Sequence, residues 1–369
     1  MIENIVKEFV KKKGYMLGGM PLSKAKSIYV KGKIEKLSAN ENQYGVSPMA
    51  IQAGKDISET ANLYPDMADY KLESKLAAQL GVEENNILLT HGGTAALSMI
   101  GDTFLCDKDE VLLPSPTYQA YANMINKNNA VKREVRVKED YSFDFEALWK
   151  AITPKTKMII LCNPNNPTGV YADKQQVVEF MKKMPPDIIL LVDEAYIQFV
   201  EKENASMVDY VSQTTNLAIV QTFSKIYGMA GYRLGYVIAN REIINALRCV
   251  WDPAAPGTIA LAAGCAALQD KDFVQKTRNG IKAGRTYIKQ ELEKMGVRVY
   301  DSRTNFIFFD CGIQADILAE KILEESGVLI RGTFEKPRVT IGTGEQNRKF
   351  IDAMKNILRE RKEKQWKSM

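Results

Sequence analysis

A lysine follows two hydroxyl residues and precedes a glycine-rich turn. The stretch from Thr222 to Tyr236 reads TFSKIYGMAGYRLGY, with Ser224 next to Lys225 and Arg233 eight residues further on. A lysine in a weakly polar site can lose its proton and act as a nucleophile or form a Schiff base. Thr222, Ser224 and Arg233 could together hold a phosphate, because arginine offers two parallel donors. The stretch therefore indicates a reactive lysine beside an anion site.

A carboxylate follows the most apolar strand candidate of the chain. Asp193 lies in the sequence LVDEAY, with Tyr196 three residues later. Burying a carboxylate costs several kcal/mol unless it finds a partner, and a pyridinium nitrogen is such a partner. Tyr196 could then donate to the oxygen of the same ring. Asp193 could instead cap the next helix, and the residues alone leave both interpretations open.

Three more polar groups follow strand candidates. Asn166, in CNPNNPTG, could donate its amide to a ring oxygen, although turn chemistry alone explains the motif. Residues 93–95 open a helix through the glycine pair at 92 and 93, and exposed amides at such a helix start can bind an anion. Tyr118 is expected either in the core or stacked on a flat cofactor. Together the strand ends supply a phosphate cradle, a stacking ring, an amide, an acid and a lysine.

Alternating strand and helix patterns position these residues. The strand candidates are Ile87–Thr90, Glu110–Pro114, Met158–Cys162, Ile188–Val192, Ala218–Thr222 and Tyr236–Ala239. The helical patterns are Gly93–Phe104, Thr117–Asn126, Lys174–Lys183 and Arg241–Trp251. This alternation predicts a mostly parallel, doubly wound α/β sheet, in which ligands bind at the carboxyl ends of the strands. From about Asp272 the pattern changes, which predicts a smaller α+β domain.

Composition narrows the function classes. The 369 residues carry a net charge of +5, with no basic stripe of the kind that binds nucleic acid. His91 is the single histidine, so a multi-histidine zinc site is excluded; we expect no metal and a structural role for His91. The five cysteines are scattered, and no apolar run reaches the ~18–20 residues of a membrane span. We expect a cytoplasmic protein that binds neither nucleic acid nor membrane.

The motifs resemble, in order and over nearly the whole chain, the fold-type I pyridoxal-phosphate aminotransferases of class I/II. Within that group the chain is most similar to the histidinol-phosphate aminotransferase branch. The resemblance starts at LSANENQYGVSP (residues 37–48) and LYPD (63–66) and ends at RVTIG (338–342). It implies an N-terminal arm (1–40) that contributes to the small domain, a large cofactor-binding domain (41–270) and a small C-terminal α+β domain (271–369).

The resemblance also implies roles for individual residues. Lys225 would form the Schiff base with pyridoxal 5'-phosphate and shuttle protons, while Asp193 would pair with the pyridine nitrogen. Asn166 and Tyr196 would contact the ring hydroxyl, and Tyr118 would stack on the ring. The phosphate would be held by Gly93, Thr94, Ala95, Thr222, Ser224, Arg233 and, from a second subunit, Tyr64. The residues implied at the substrate are Arg338, Arg331, Asn42 and Tyr15.

The implied activity is transfer of an amino group between an amino acid, or an amino-acid phosphate such as histidinol phosphate, and a 2-oxo acid. The role of Tyr64 implies a homodimer with shared active sites. The same set of residues also serves amino-acid racemases, decarboxylases and lyases, because their reactions begin from the same carbanion or its equivalent. A non-catalytic module that binds the cofactor is a more remote alternative. The sequence leaves the amino donor and the acceptor open.

Overall fold

The computed structural model describes Val6 and residues 19–66 and 70–367, so Tyr15 lies outside the described residues. The chain divides into two compact units. The smaller is made of Met1–Tyr44, Pro167–Gly169 and Thr277–Met369, and the larger of Gly45–Asn166 and Val170–Lys276. The domain boundaries expected after residues 40 and 270 stay a prediction.

The elements of the described residues follow in chain order. The strands are β1 Glu35–Lys36, β2 Ile87–Thr90, β3 Glu110–Ser115, β4 Val131–Arg136, β5 Thr156–Cys162, β6 Ile189–Asp193, β7 Leu217–Thr222, β8 Gly235–Ala239, β9 Arg298–Val299, β10 Phe306–Asp310, β11 Val328–Leu329 and β12 Arg338–Thr340. The helices are α1 Leu22–Ile28, α2 Pro48–Ile57, α3 Leu72–Leu80, α4 Gly93–Phe104, α5 Tyr121–Lys127, α6 Phe145–Lys150, α7 Lys174–Lys183, α8 Arg241–Arg248, α9 Thr258–Gln269, α10 Lys271–Lys294, α11 Ala315–Ser326 and α12 Gly344–Lys367.

The larger unit is built on a seven-stranded sheet. Its strand order is β2-β8-β7-β6-β5-β3-β4. All the neighbouring pairs are parallel except those of β8, which runs antiparallel to β2 and β7. Strands β6 and β7 are buried along their whole length, which explains why they read as continuous apolar runs. The prediction of a mostly parallel α/β sheet is confirmed.

Helices α4, α5 and α8 share one core cluster with the central strands. Ile100 of α4, Ile125 of α5 and Ile244 of α8 are fully buried in it. The apolar side chains of each helix recur at helical spacing, so one face of each can pack on the sheet. This packing brings the start of α4 and the start of α5 to fixed positions beside the strands.

In the larger unit, the sequence patterns missed one strand and placed one helix start too early. Strand β4 reads VKREVR, is largely exposed and pairs with β3 at the edge of the sheet. Charged side chains are usual on edge strands. Because of them, β4 lacks the apolar pattern by which a buried strand is recognised in a sequence. The helix expected from Thr117 begins only at Tyr121. The Thr117 hydroxyl instead donates to the side chain of Asn165 at 2.9 Å, which ties residue 117 to a neighbouring loop.

The smaller unit has the expected α+β composition. Strands β12, β10 and β9 form an antiparallel sheet, and β1 pairs in parallel with β11. Phe306, Phe308 and Phe309 of β10 and Phe350 of α12 are fully buried in it. Residues 19–66 and 70–367 contain no helix that is long and apolar enough to cross a membrane.

Candidate active site

The carboxyl ends of β5, β6 and β7 meet at one edge of the sheet. Cys162, the last residue of β5, lies opposite Asp193, the last residue of β6. On the other side, the first residue of β8, Gly235, lies opposite the last residues of β2 and β7, which are Thr90 and Thr222. The polar residues that follow these strands therefore share one edge, as the parallel alternation predicted.

Two glycines let the start of α4 approach β8 closely. Gly92 precedes the helix with φ of +81°, a left-handed value that favours glycine. A Cβ on Gly92 would lie 2.6 Å from a terminal nitrogen of Arg233. A Cβ on Gly235 would lie 2.7 Å from the amide nitrogen of Gly93. The guanidinium of Arg233 therefore lies against the N-terminus of α4, and at Gly235 the backbone of that N-terminus leaves no room for a Cβ.

The hydroxyl groups of Thr222 and Ser224 lie at the end of β7. They are 3.0 Å apart, both side chains are buried, and the Ser224 amide donates to the Thr222 hydroxyl at 3.1 Å. The amide of Ala95, another expected phosphate donor, donates to the carbonyl of Gly92 at 3.1 Å. To bind a phosphate as well, it would have to share its hydrogen between that carbonyl and a phosphate oxygen. A helix start, two hydroxyls and the guanidinium of Arg233 are a donor set that fits a phosphate.

Asp193 is a buried acid at the end of β6. Its Oδ2 accepts a hydrogen bond from the Tyr121 hydroxyl at 2.7 Å, and its Oδ1 accepts from the Ala195 amide at 3.1 Å. Burial raises the pKa of this carboxyl, while the Tyr121 and Ala195 hydrogen bonds and the charge of Lys225 lower it. The following short helix begins at Ile197 with Tyr196, not Asp193, at its N-cap position, so the alternative that Asp193 caps it is wrong. A buried acid of this kind fits a protonated pyridine nitrogen.

Lys225 lies in the loop after β7, half buried, with its Nζ 5.6 Å from the centroid of the Tyr196 ring. The loop is anchored on its far side. The Tyr227 carbonyl accepts from the Ser47 amide at 3.2 Å, and a Cβ on Gly228 would collide with the carbonyl of Gly45. The lysine expected to react thus lies in a constrained loop, beside the tyrosine and the acid that the sequence pointed to.

The asparagines of the loop after β5 make different contacts. Both polar atoms of the Asn163 side chain bond to the backbone of Ala172, at 2.8 and 2.9 Å. Asn165 accepts from Thr117 and donates to a backbone carbonyl at 3.0 Å. Asn166 is buried at the same strand end. The first two asparagines therefore shape the turn, and Asn166 follows them in the same buried loop.

The expected substrate arginines belong to the smaller unit. Arg331 and Arg338 face each other in an antiparallel bridge, with backbone hydrogen bonds of 2.9 and 3.0 Å. Residues opposite each other in such a pair project to the same face. Their guanidinium carbons lie 5.9 and 5.4 Å from the centroid of the Phe334 ring. Arg338 also donates to the Ser38 carbonyl at 2.8 Å.

Three other expected residues differ in exposure. Tyr64 is 90% exposed and His91 is exposed as well. Asn42, half buried, accepts a hydrogen bond from the Tyr44 amide at 3.0 Å. The structure thus brings the cofactor-type residues together at one sheet edge of the larger unit, except Tyr64, whose ring points to solvent in this single chain.

Sequence reasoning missed two buried groups beside Asp193. Tyr121 donates to its carboxylate, and Glu194 follows it in the chain. The only advance signal for Tyr121 was its i+3 spacing from Tyr118, which places two tyrosines on one side of a turn. The rings of these tyrosines pack edge to face at 5.4 Å.

Comparison with known proteins agrees with this arrangement. The family model "Aminotransferase class I and II" matches residues 32–354. A histidinol-phosphate aminotransferase of Moorella thermoacetica is 37% identical over 88% of this chain and 85% of its own length.

Two solved structures show the same fold. The histidinol-phosphate aminotransferase of Sinorhizobium meliloti in complex with pyridoxal-5'-phosphate has a TM-score of 0.89 and 22% identity, covering 96% of this chain and 98% of its own. An L-threonine-O-3-phosphate decarboxylase from Porphyromonas gingivalis has a TM-score of 0.76 and 24% identity, over 88% and 100% of the two chains. Because the family model spans most of the sequence, this chain belongs to the class I and II aminotransferases, which are pyridoxal-phosphate-dependent enzymes of fold type I.

Proposed function

We propose that this aminotransferase takes the amino group of histidinol phosphate or a closely similar amino-acid phosphate and passes it to a 2-oxo acid. The observation that carries the proposal is the 37% identity to a histidinol-phosphate aminotransferase over 88% of the chain. The facing pair Arg331 and Arg338 supports it, because two guanidinium groups on one face suit an anionic substrate group. Asn42 and Tyr15 complete the proposed substrate residues.

We assign the reacting groups to the strand ends of the larger unit. Pyridoxal phosphate, when bound, supplies the electron sink for the substrate α-carbon. Lys225 would hold the cofactor covalently and then move a proton to and from that carbon with its amine. Asp193 would hold the ring nitrogen protonated, and Asn166 and Tyr196 would orient the ring oxygen. Tyr118 would stack on the ring.

The phosphate group would be bound by the donors around the start of α4. The proposed set is Gly93, Thr94, Ala95, Thr222, Ser224 and Arg233. The close approach of Arg233 to Gly92 supports this assignment, since it concentrates positive charge at the helix start.

We propose a homodimer as the catalytic unit, acting in the cytoplasm. Tyr64 and Leu63 are neighbours and are 90% and 64% exposed, so both side chains are accessible to a partner subunit. A partner subunit would cover them and receive the Tyr64 hydroxyl at its phosphate site. We also propose that the larger unit, which carries Lys225 and Asp193, is the cofactor-binding domain.

Absorbance spectroscopy of the cofactor-loaded protein tests the proposed reaction. Addition of histidinol phosphate is expected to convert the bound cofactor to its amine form and release the matching ketone phosphate, whereas Lys225→Ala should show neither change. A panel of L-glutamate and aromatic amino acids serves for comparison. If only another donor reacts, the substrate assignment is wrong. Release of carbon dioxide or loss of optical activity without amine formation would indicate a decarboxylase or racemase, a reaction that the shared fold permits.

A further inference from the structure

Tyr121 contacts two of the residues assigned to the cofactor ring. It is the first residue of α5 and is 1% exposed. Its hydroxyl donates to Oδ2 of Asp193 at 2.7 Å. Its ring meets that of Tyr118 edge to face, with centroids 5.4 Å apart and planes at 89°. One side chain therefore touches both the acid assigned to the ring nitrogen and the ring assigned to stacking.

The hydrogen bond favours the charged form of Asp193. Burial raises the pKa of this carboxyl, and the bond from Tyr121 opposes that rise. Burial and the negative charge of Asp193 in turn raise the pKa of Tyr121 well above its usual value, so the phenol keeps its proton and remains a donor. Removing the hydroxyl would leave an acid that is harder to ionise at the site where a protonated ring needs a negative partner.

The other titratable groups near Asp193 do not replace this donor. Burial and the charge of Asp193 raise the pKa of the Cys162 thiol, so it stays neutral, and its sulfur lies 3.5 Å from the Pro164 carbonyl, to which it donates. Lys225 adds positive charge from the opposite loop, but under the proposed function its amine is engaged with the cofactor. Tyr121 is therefore the hydroxyl donor that orients Asp193 from the α5 side.

We propose that Tyr121 is a positioning residue of this aminotransferase. Its hydroxyl keeps Asp193 an oriented carboxylate that would pair with the ring nitrogen, and its ring packs edge to face against Tyr118. The inference deepens the proposed function and rests on the assignment of Asp193 to that nitrogen. It predicts that the protonation state of the cofactor ring depends on a residue that does not touch the ring.

The test compares two variants in the full chain loaded with ¹⁵N-labelled pyridoxal phosphate. Tyr121→Phe removes the hydroxyl and keeps the ring. Tyr236→Phe is the matched control, because Tyr236 is also buried and its hydroxyl also donates at 2.7 Å, but to the side chain of Gln221. The readouts are the ¹⁵N chemical shift of the ring nitrogen against pH and the dissociation constant of the cofactor.

Tyr121→Phe is expected to lose the ring-nitrogen proton at lower pH than the wild type and to bind the cofactor about tenfold to a hundredfold more weakly. Tyr236→Phe should keep both wild-type values. Wild-type behaviour of Tyr121→Phe, or equal changes in the two variants, would overturn the inference while leaving the proposed function intact. A wild-type protein that does not load the cofactor covalently would overturn the proposed function and this inference with it.

A second variant covers a failure of Tyr121→Phe to fold. Tyr121→His keeps a ring nitrogen that can donate to Asp193. Its ring-nitrogen shift is expected to stay at the protonated value near neutral pH, and a shift at the deprotonated value would overturn the role of the donor.

Discussion

Asp193 and Glu194 are consecutive buried acids, and their surroundings differ. Asp193 ends strand β6, and successive residues of a strand point to opposite faces. Asp193 meets Tyr121 of α5 and feels the charge of Lys225. Glu194 meets Ser206 and other fixed donors of the larger unit on the other side. Burial raises the pKa of both carboxyls, so a raised pKa alone does not tell them apart.

The donors around Glu194 belong to strand β7 and to the segment at residues 206–207. Its Oε2 accepts from the Ser206 hydroxyl at 2.6 Å and from the Gln221 amide at 2.8 Å, and its Oε1 accepts from the Met207 amide at 2.7 Å. Gln221 in turn accepts from the Tyr236 hydroxyl at 2.7 Å. These bonds join the end of β6 to β7, β8 and the segment at residues 206–207. Glu194 is therefore a structural acid.

The hydrogen-bond partners of the two acids distinguish a structural acid from a candidate functional one in this protein. An acid whose hydrogen-bond donors come from several structural elements stabilises the fold. The acid that lies at the strand edge beside a lysine and a phosphate-type cradle is the one a ligand would use. Substitutions at the two positions should therefore affect different properties, which makes the comparison testable.

The largest expected effect is on turnover at Asp193. Asp193→Asn keeps the size of the side chain but removes the negative charge assigned to the ring nitrogen. We expect kcat to fall by a factor on the order of 10²–10³, as for loss of one preorganised electrostatic group. Steady-state kinetics with saturating cofactor measure it. Glu194→Gln, the same change one residue later, is the control and should stay within a few-fold of wild type; a larger loss there would erase the distinction.

Glu194→Ala should act on stability instead. The change leaves the Met207 amide and the Ser206 and Gln221 side chains without their acceptor, and each unsatisfied buried group costs about 1–3 kcal/mol. We expect the free energy of unfolding to drop by roughly 3 kcal/mol or more, measured by urea denaturation of the cofactor-loaded protein. Folded Glu194→Ala protein at low temperature should retain most of its kcat. Unchanged stability would show that the bonds around Glu194 contribute little.

The smallest expected effect is a change in the pH dependence of stability. Burial raises the pKa of Glu194 from 4.5 to about 7, although its hydrogen bonds and the charge of Lys174 lower it. Between those two values the folded protein binds more protons than the unfolded chain, so the unfolding free energy falls as the pH rises. Glu194→Gln should remove this contribution and flatten the curve between about pH 4.5 and 7. An unchanged slope in Glu194→Gln would contradict the assignment; Asp193 contributes with the same sign in both proteins.

The sequence patterns predicted the central strands well. Strand β2 and helices α4 and α7 have the predicted bounds, and strands β5, β6 and β7 differ by one or two residues. Buried parallel strands are apolar along their whole length, which makes them visible in a single sequence. The charged edge strand β4 gave no such signal.

The candidate site was predictable as residue types but not as a network. Lys225, Asp193 and Asn166 each follow a strand, and parallel strands bring their carboxyl ends to one edge. The bond from Tyr121 to Asp193 joins residues 72 apart in the chain, and the bond from Gln221 to Glu194 joins residues 27 apart. Hydrophobic periodicity reports which side chains are buried, not which buried side chains meet.

The sequence by itself therefore determined the α/β alternation, the order of the motifs and the chemical types at the strand ends. Only the tertiary structure showed which hydrogen-bond donors each of the two consecutive acids meets. The physical reason is that both residues are buried acids and differ only in the donors within hydrogen-bond distance. Helix α5 brings a donor to Asp193, whereas Ser206 and strand β7 bring donors to Glu194.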